Sequence, residues 1–343
     1  MYFRLNRLEK KATTGMKVKT IVLLLAYITP IAFHWFGLIT QPWLVLLLYS
    51  FSGLGIAGIG MGIMHDANHG AYTRNNTMNY LLSHTLDLMG CSSSIWKLQH
   101  NVLHHTYTNI HGHDEDITAP IWLLRFSPHS KHYNAHRFQH LYVWFFYGIL
   151  TLFWVTGKDF VKAVGYRKKG LIQSDKELTI RLLKLIPLKA FYFTYALIIP
   201  IWMTPLPAYW LIIAFVLMHF VAGVLLSVVF QLAHVVPEMT YPQADNNGSI
   251  ENNWYVHQLQ TTSNFSPGNK VLAWYLGGLT NQIEHHLFPQ ICHVHYPNLS
   301  KIVQRTAEEY NIPYHVNQTF FQALTGHVNT LRSLGKTAEG AIA

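Results

Sequence analysis

Residues 43–69 of this 343-residue chain read WLVLLLYSFSGLGIAGIGMGIMHDANH, and this stretch decides which kind of protein the chain forms. No Asp, Glu, Lys or Arg occurs from Trp43 to Met64, and this run is long enough to cross a bilayer core, which takes about 20 apolar residues in a helix. The run continues directly into His65-Asp-Ala-Asn-His69. Residues four apart lie on one face of a helix, so both imidazoles can reach one site beside the membrane.

The composition of the whole chain favours a membrane protein. Only 12% of the residues are Asp, Glu, Lys or Arg, while 50% are hydrophobic and 14% are aromatic. A soluble protein has about 25% charged residues, so these values argue against a disordered chain, a coiled coil and a fully solvated surface. The formal charge of +9 accompanies long apolar runs. We therefore interpret it as basic flanks of membrane spans and expect no nucleic-acid partner.

Two regions without charged residues each predict a pair of spans. The first runs from residue 20 to residue 64 and is divided at Gln41-Pro42, and the second runs from residue 190 to residue 237 and is divided at Thr204-Pro205. Proline disfavours helix at the preceding residue, so each division predicts a turn. The expected fold is an all-α integral membrane protein with four transmembrane helices in two hairpins. The predicted spans are residues 20–39, 43–64, 187–203 and 208–230.

The positions of the basic residues predict the orientation in the membrane. Of the 25 Lys and Arg residues, 6 lie in residues 1–19, 14 in residues 65–189 and 5 in residues 233–343, and the two predicted turns contain none. Cytoplasmic segments carry the excess of Lys and Arg. We therefore expect one membrane domain over residues 1–343, with both termini cytoplasmic. The segments expected to form a cytoplasmic helical cap with the active site are residues 65–186 and 231–343.

The uncharged stretch 141–156 is the difficult one, because it is short for a span. If it crossed the membrane, the histidines before it and those after the last span would face opposite compartments. We therefore predict that residues 141–156, and also residues 78–90, form helices lying in the membrane interface.

Histidine is the most unusual component of the chain. The 22 histidines outnumber the 16 acidic residues, and imidazole is the commonest protein ligand for metals. Two further clusters have helical spacing, His100-Asn-Val-Leu-His104-His105 and Gln282-Ile-Glu-His285-His286, and one more histidine follows the last predicted span closely. The candidate metal ligands are His65, His69, His100, His104, His105, His234, Gln282, His285 and His286.

The number of imidazoles bears on which metal they hold. A zinc site typically has four donors and haem needs only axial ligands, so eight histidines exceed either need. Imidazole-rich sites without thiolates suit two five- or six-coordinate ions and allow iron. A zinc store and a proton relay remain alternatives at this point. A metal or haem transporter is a distant one, because the predicted spans contain only His34 and His219 as candidate ionisable ligands.

Other polar residues are expected to have structural or surface roles. We predict that Asp114-Glu115-Asp116 is a solvated loop rather than a metal patch. Several basic residues are interpreted as holding an anionic headgroup, coenzyme A or a redox partner, or as ordinary cationic surface near lipid. They are Arg74, Lys97, Arg125, Lys131 and Arg137. Hydrogen-bonded structural roles are expected for His34, His84, His219 and His257.

With its three histidine clusters in this order after membrane spans, the chain resembles the membrane fatty acid desaturases over nearly its whole length. The resemblance implies two iron ions held by the histidines named above, with His234 matching the extra ligand after the last span. It also implies dioxygen as co-substrate, reduced to water, and a fatty acyl substrate carried as acyl-CoA or acyl-lipid. A di-iron lipid hydroxylase of the same superfamily is the alternative, since the same chemistry can insert oxygen.

The third cluster resembles the front-end branch of that family, because Gln282 stands where most members have a histidine. Members of this branch often carry a fused cytochrome b5 domain with a His-Pro-Gly-Gly motif, and no His-Pro dipeptide occurs in this sequence. We therefore expect a separate electron donor, either ferredoxin-like or cytochrome b5-like, in addition to membrane lipid as a partner.

Overall fold

Helices account for most of the residues that the computed structural model describes, which are residues 10–119, 121–245 and 249–336. A parallel pair of two-residue strands joins Asn264 with Val316 and Phe265 with Asn317. The elements in chain order are α1 (Thr14–Trp35), α2 (Pro42–Asn68), α3 (Asn76–Ser83), α4 (Thr85–Leu88), α5 (93–107), α6 (Asn134–Lys168), α7 (Asp175–Met203), α8 (Ala208–His234), α9 (Trp254–Thr261), β1 (Asn264–Phe265), α10 (Lys270–Tyr275), α11 (Gln282–Leu287), α12 (Tyr296–Glu309), β2 (Val316–Asn317) and α13 (Phe320–Lys336).

Five of the described helices, α1, α2, α6, α7 and α8, are long and apolar enough to cross a membrane, judged by length and composition. Helices α2, α7 and α8 contain the predicted spans 43–64, 187–203 and 208–230, whereas α1 ends at Trp35, four residues before the end of the predicted span 20–39. The fifth, α6, contains the stretch 141–156, which was predicted to be a short interfacial helix, and its mean hydropathy of 1.3 is the lowest of the five. The other predicted interfacial segment, residues 78–90, falls on the short helices α3 and α4.

Several long helices are longer than the predicted spans, because polar residues continue or cap the helix at its ends. The side chain of Thr13 caps α1 by accepting a hydrogen bond from the Met16 N–H. Ser174 caps α7 in the same way, and the acidic residues Asp175 and Glu177 in its first turn suit the positive end of the helix dipole. At its C-terminal end α8 continues past the predicted limit to His234.

The chain divides into two compact units, and each takes residues from both halves of the sequence. The apolar unit comprises Lys11–Leu98 and Phe145–Ser227. The histidine unit comprises Met1–Lys10, Gln99–Trp144 and Val228–Ala343.

Close approach of helix backbones characterises the apolar unit. A Cβ atom at Gly223 in α8 would lie 2.5 Å from the carbonyl oxygens of both Gly148 and Tyr147 in α6, and one at Gly55 in α2 would lie 2.7 Å from the backbone nitrogen of Tyr27 in α1. Apolar side chains gain nothing by leaving lipid for each other, so membrane helices associate through such close van der Waals packing. These glycines therefore set the spacing of the helices.

A buried ion pair fixes the chain at the start of α5 within the apolar unit. The ammonium group of Lys189 lies 2.9 Å from the Asp159 carboxylate and donates to the backbone carbonyls of Gly90 and Trp154. Asp159 also accepts from the backbone N–H of Ser92 at 3.1 Å. Ser92 caps α5 with its side chain, so the network holds the N-terminal end of the helix that carries the second histidine cluster.

In the histidine unit, Arg125 is fully buried rather than part of a cationic surface. Its guanidinium donates to the backbone carbonyls of Ser130, Pro128 and Leu334. The interpretation of Arg125 as a group that holds an anionic headgroup or a redox partner is therefore wrong, because carbonyl oxygens in the protein interior already occupy its donors. Arg125 instead fastens the C-terminal end of α13 to the loop before α6.

Candidate metal centre

The second histidine cluster lies on a π-helical segment, Leu98–His104, within α5. A π-helical turn also precedes the first cluster, at Gly60–Met64 in α2. Segments of this kind are rare and occur frequently at functional sites. The sequence predicted ordinary α-helical spacing for both clusters, and the structure instead places a wider turn in or directly before each of them.

The histidine unit brings six of the predicted ligands together, all of them buried. One group has His104, His234 and His286, whose rings form a triangle with centroids 4.8 to 4.9 Å apart. In a second group, Nε2 of His105 lies 3.2 Å from Nε2 of His100 and 3.0 Å from Nε2 of His285. The candidate ligand nitrogens of His105, His285 and His286 also lie within 4.8 Å of one another, so the two groups adjoin.

The Nδ1 atoms of five of these six rings are held by protein partners. Nδ1 of His104 donates to Asp114 at 3.0 Å and Nδ1 of His234 donates to the Thr261 carbonyl at 3.1 Å. Two further rings are held in the same manner, with His286 donating to Gln258 Oε1 at 2.7 Å and His100 donating to Asp116 at 3.3 Å. Nδ1 of His285 lies 3.3 Å from the Tyr296 hydroxyl. In metal sites, a ring nitrogen held in this way orients the imidazole and leaves the other nitrogen for the ion.

The carboxylates near the second cluster were missed as part of the site, because the sequence predicted a solvated loop there. Asp114 is fully buried, and it also accepts from the backbone N–H groups of Asn109 and Asp116. Burial by itself lowers the pKa of His104, but the Asp114 carboxylate outweighs burial and the net pKa is raised. The available signal was weak: two acidic residues that follow the histidine cluster by about ten positions.

The Nε2 atoms of His104 and His234 in the first group fit a metal ion. Within the residues that the structure describes, Nε2 of His104 and Nε2 of His234 are buried without a hydrogen-bond partner. A buried polar atom without a partner costs free energy unless something else binds it. In the second group, nitrogens about 3 Å apart match neighbouring ligands that each lie about 2.1 Å from one ion. Imidazoles without a thiolate are donors that iron accepts.

The first cluster lies in the apolar unit. The rings of His65 and His69 are 5.0 Å apart, and the edge of each meets Trp96, at 5.7 and 6.1 Å. The rings of these two predicted ligands are therefore neighbours in the structure.

Gln282 is buried at the first position of α11, one turn before His285.

The histidines with expected structural roles are bonded within their own units. Nδ1 of His34 and Nδ1 of His84 donate to backbone carbonyls four residues earlier. Nε2 of His219 lies 2.6 Å from the Tyr192 hydroxyl. His257 is buried, which lowers its pKa, and its ring is hydrogen-bonded to the backbone of Thr108.

Comparison with known proteins identifies the family. Residues 40–318 match the model of the family described as fatty acid desaturase. The chain is 36% identical to the sn-1 linoleoyl-lipid 6-desaturase of Arthrospira platensis, over 98% of this chain and 90% of that protein. It is 32% identical to the enzyme of the same name from Synechocystis sp., over 98% and 93%. It is also 32% identical to the acyl-lipid (8-3)-desaturase of Physcomitrium patens, over 98% and 70%.

These matches span the long apolar helices and all three histidine clusters. Desaturation of unactivated methylenes needs an oxidant stronger than any amino-acid side chain, and the clustered imidazoles could hold the metal ions that such chemistry requires. The chain belongs to the fatty acid desaturase family and is a membrane fatty acid desaturase.

Proposed function

We propose that the enzyme holds two iron ions and uses dioxygen to desaturate an acyl chain of a membrane lipid. The observation that carries the proposal is the pair of adjoining imidazole groups in the histidine unit. When bound, the two ions would supply the oxidising power for removing two hydrogens from neighbouring methylenes, with dioxygen reduced to water. The proposed ligands are His65, His69, His100, His104, His105, His234, His285 and His286.

The residues around the rings would determine which ring nitrogen is available. Asp114 and the Thr261 carbonyl accept hydrogen bonds from the Nδ1 atoms of His104 and His234, so they hold the proton on Nδ1 and leave the Nε2 lone pair for a metal. Gln258 does the same for His286. Gln282 is proposed to act on the site through water rather than as a direct ligand.

The substrate proposal concerns the carrier of the acyl chain and the position of the double bond. Two relatives that cover nearly all of this chain are named sn-1 linoleoyl-lipid 6-desaturases. Gln282 in the third cluster is also the residue that made the sequence resemble front-end desaturases. We therefore propose an acyl-lipid rather than acyl-CoA substrate, a linoleoyl chain, and a new double bond at position 6. A separate ferredoxin-like or cytochrome b5-like protein is proposed to supply the electrons.

The topology proposal follows from the path of the chain between two histidines. The rings of His104 and His234 lie 4.8 Å apart in the histidine unit, and α6, α7 and α8 come between these residues in the sequence. An odd number of membrane crossings would place the two rings on opposite sides. Because α6 is the least apolar of the three, we propose that it lies in the interface and that α1, α2, α7 and α8 cross, with the site and both termini cytoplasmic.

Product analysis tests the reaction. The chain is expressed in a host membrane that contains linoleoyl lipids, together with a ferredoxin or cytochrome b5 system, and double-bond positions in intact lipids are read by mass spectrometry. We expect a new double bond at position 6 of lipid-bound chains. A hydroxylated product would favour the lipid hydroxylase, and product found only on coenzyme A would contradict the acyl-lipid carrier.

Metal analysis and labelling test the other two parts. Elemental analysis and Mössbauer spectroscopy of freshly purified active enzyme are expected to give two irons per chain, and one tightly held zinc without iron would contradict the site. For topology, Lys168→Cys provides an exposed label position against Cys91 and Cys292, which are buried. Labelling at residue 168 only from the non-cytoplasmic face would contradict the proposed orientation.

A further inference from the structure

Glu284 directly precedes the proposed ligands His285 and His286 in the sequence, yet its side chain belongs to a separate hydrogen-bonded network. The residue is fully buried. The Tyr314 hydroxyl donates to its Oε1 at 2.8 Å, and Nδ2 of Asn264 donates to its Oε2 at 2.9 Å. Nδ2 of Asn264 also donates to the Tyr314 hydroxyl oxygen at 2.8 Å. We name Asn264, Glu284 and Tyr314 the carboxylate triad.

The carboxylate triad is saturated with hydrogen bonds and reaches the backbone of α11. Oδ1 of Asn264 accepts from the backbone N–H of Ile283 at 2.9 Å. Both carboxylate oxygens of Glu284, both amide hydrogens of Asn264 and the hydroxyl hydrogen of Tyr314 are therefore used within the network. Hydrogen bonds to a buried carboxylate are short and strong, and a network with every member satisfied holds its residues rigidly.

The members of the triad come from three separate parts of the chain, which the short parallel strands tie together. The backbone N–H of Asn264 donates to the His315 carbonyl at 3.0 Å, and that of Phe265 donates to the Thr280 carbonyl at 3.0 Å. Strand β1 is thereby joined to the segment before β2 on one side and to the segment before α11 on the other. The triad holds α11 against this frame.

Helix α11 needs such support because it has only six residues. Helices shorter than about 12 residues are marginal by themselves, so its orientation depends on tertiary contacts. Its neighbouring residues His285 and His286 point about 100° apart around the axis. Nε2 of His285 meets His105, whereas Nδ1 of His286 meets Gln258. A rotation of α11 would misdirect both rings together.

We infer that the carboxylate triad is a positioning device, in which Glu284 sets the rotation of α11 and thereby aims His285 and His286 at their respective groups. We assign the three side chains a positioning role because they bond to one another and to the backbone N–H of Ile283. The inference rests on the proposed metal site, because it concerns the direction of two of its ligands.

The test uses Glu284→Gln and Tyr314→Phe in the full-length chain. Both variants keep the side-chain volume, the first replacing a carboxylate oxygen by an NH2 group and the second removing one hydroxyl donor. Glu309→Gln and Tyr310→Phe are matched controls, since the Glu309 side chain is 61% exposed and Tyr310 is 72% exposed. Amide hydrogen exchange of the metal-free protein, and the affinity and visible spectrum of bound Co²⁺ as the metal probe, are measured for all four.

We expect exchange at residues 282–287 to quicken at least about tenfold in Glu284→Gln, with α12 unchanged. Loss of such supporting contacts weakens metal affinity by about 10- to 100-fold, and we expect an altered Co²⁺ spectrum as well, with Tyr314→Phe milder than Glu284→Gln. The double variant is expected to exceed Glu284→Gln only slightly, because residues in one network are not additive. Both controls should match the wild type in every measurement.

Two results would contradict the inference and are distinguishable. If the wild type binds two Co²⁺ ions and both triad variants bind them with wild-type affinity and spectrum, the positioning role is wrong while the metal site stands. If the wild type binds no Co²⁺, the proposed metal site fails and the inference fails with it. Should Glu284→Gln not fold, Tyr314→Phe with unchanged exchange and Co²⁺ affinity would overturn the inference.

Discussion

Two buried histidines in the two units use their ring nitrogens in opposite ways. In the apolar unit, Nε2 of His219 lies 2.6 Å from the Tyr192 hydroxyl and its Nδ1 lies 3.3 Å from the Thr151 hydroxyl. In the histidine unit, Nδ1 of His104 is held by Asp114 while its Nε2 has no partner among the described residues. Burial is equal in the two cases. Nε2 of His34 and Nε2 of His257 are also without a partner among the described residues. A candidate ligand is therefore distinguished by an available nitrogen that lies among other imidazoles, as in the group of His104, His234 and His286.

The strongest way to break this comparison is to remove one ring from each unit. His104→Ala is expected to abolish desaturation and lower the iron content while leaving membrane insertion intact, because the ring lies outside the long apolar helices. The same loss is expected for each of the other seven proposed histidine ligands. His219→Gln is expected to retain most turnover and to lose about 1 kcal/mol of stability, the usual worth of a hydrogen bond.

Lipid analysis, iron content and thermal unfolding of membranes with equal expression provide the measurement. If two or more of the eight alanine variants kept the wild-type product yield, the eight histidines would not form one metal site. A His219→Gln enzyme without turnover at unchanged stability would remove the distinction between the two kinds of histidine.

Asp114→Asn sharpens the comparison by leaving His104 in place and changing only the group that holds it. The asparagine keeps an oxygen near Nδ1 but removes the negative charge that raises the pKa of His104. Metal affinity is expected to fall by about 10- to 100-fold, as for other partners of metal-binding imidazoles. Asp175→Asn is the matched control, because the Asp175 side chain is 86% exposed. Equal metal affinity in the two variants would contradict this role for Asp114.

Gly223→Ala addresses the packing of the apolar unit, where we expect an effect on stability. The new Cβ atom would lie 2.5 Å from two backbone carbonyl oxygens of α6, and overpacking of this kind costs about 1–3 kcal/mol. Gly165→Ala in the same unit is the control, because nothing lies within 4 Å of its Cβ position. Thermal unfolding in detergent should separate them, and equal midpoints would show that α6 and α8 do not depend on close contact at Gly223.

The pH dependence of stability tests a structural histidine inside the histidine unit. His327 is buried and donates to the Val235 carbonyl at 2.8 Å, and burial lowers its pKa to about 4, against an unfolded value of about 6.5. Between these pKa values the unfolded chain binds a proton that the folded chain does not. Stability should therefore fall as the pH drops through this window, by about 1 kcal/mol at pH 5.5.

Chemical unfolding of the wild type and of His327→Gln at pH 7.0 and pH 5.5 measures this contribution. The variant should lose less stability than the wild type over that interval. An identical loss in both proteins would assign the pH dependence to other groups.

The smallest expected effect is that of replacing Gln282, whose proposed role is neither that of a direct metal ligand nor that of a purely structural residue. Gln282→Ala is expected to lower turnover only a few-fold, because an amide that acts through water can be replaced by further water. Gln282→His should retain activity if the site accepts the imidazole that is commoner at this position. A loss as complete as for the histidine variants would instead make Gln282 a direct ligand.

The histidine clusters could be recognised in the sequence because their spacing is local. His104 with His105, and His285 with His286, are neighbours on one short segment, and a periodic pattern shows on which side of a helix they lie. The partners that orient the rings come from far along the chain. Gln258 holds His286, and the Thr261 carbonyl holds His234 from 27 residues away, so no local pattern predicts them. Asp114 was misinterpreted for the same reason, since only packing buries it.

By itself, the sequence determined that this is a helical membrane protein with imidazole-rich clusters beyond its apolar segments, because hydropathy and helical spacing are properties of neighbouring residues. Tertiary structure decided which ring nitrogens are anchored and which remain available, and it extended the stretch 141–156 into the long helix α6. It also buried Asp114 and Arg125, which the sequence had predicted to lie in a solvated loop and on a cationic surface. Burial and hydrogen-bond partners arise from contacts between distant segments, and these exist only once the chain has folded.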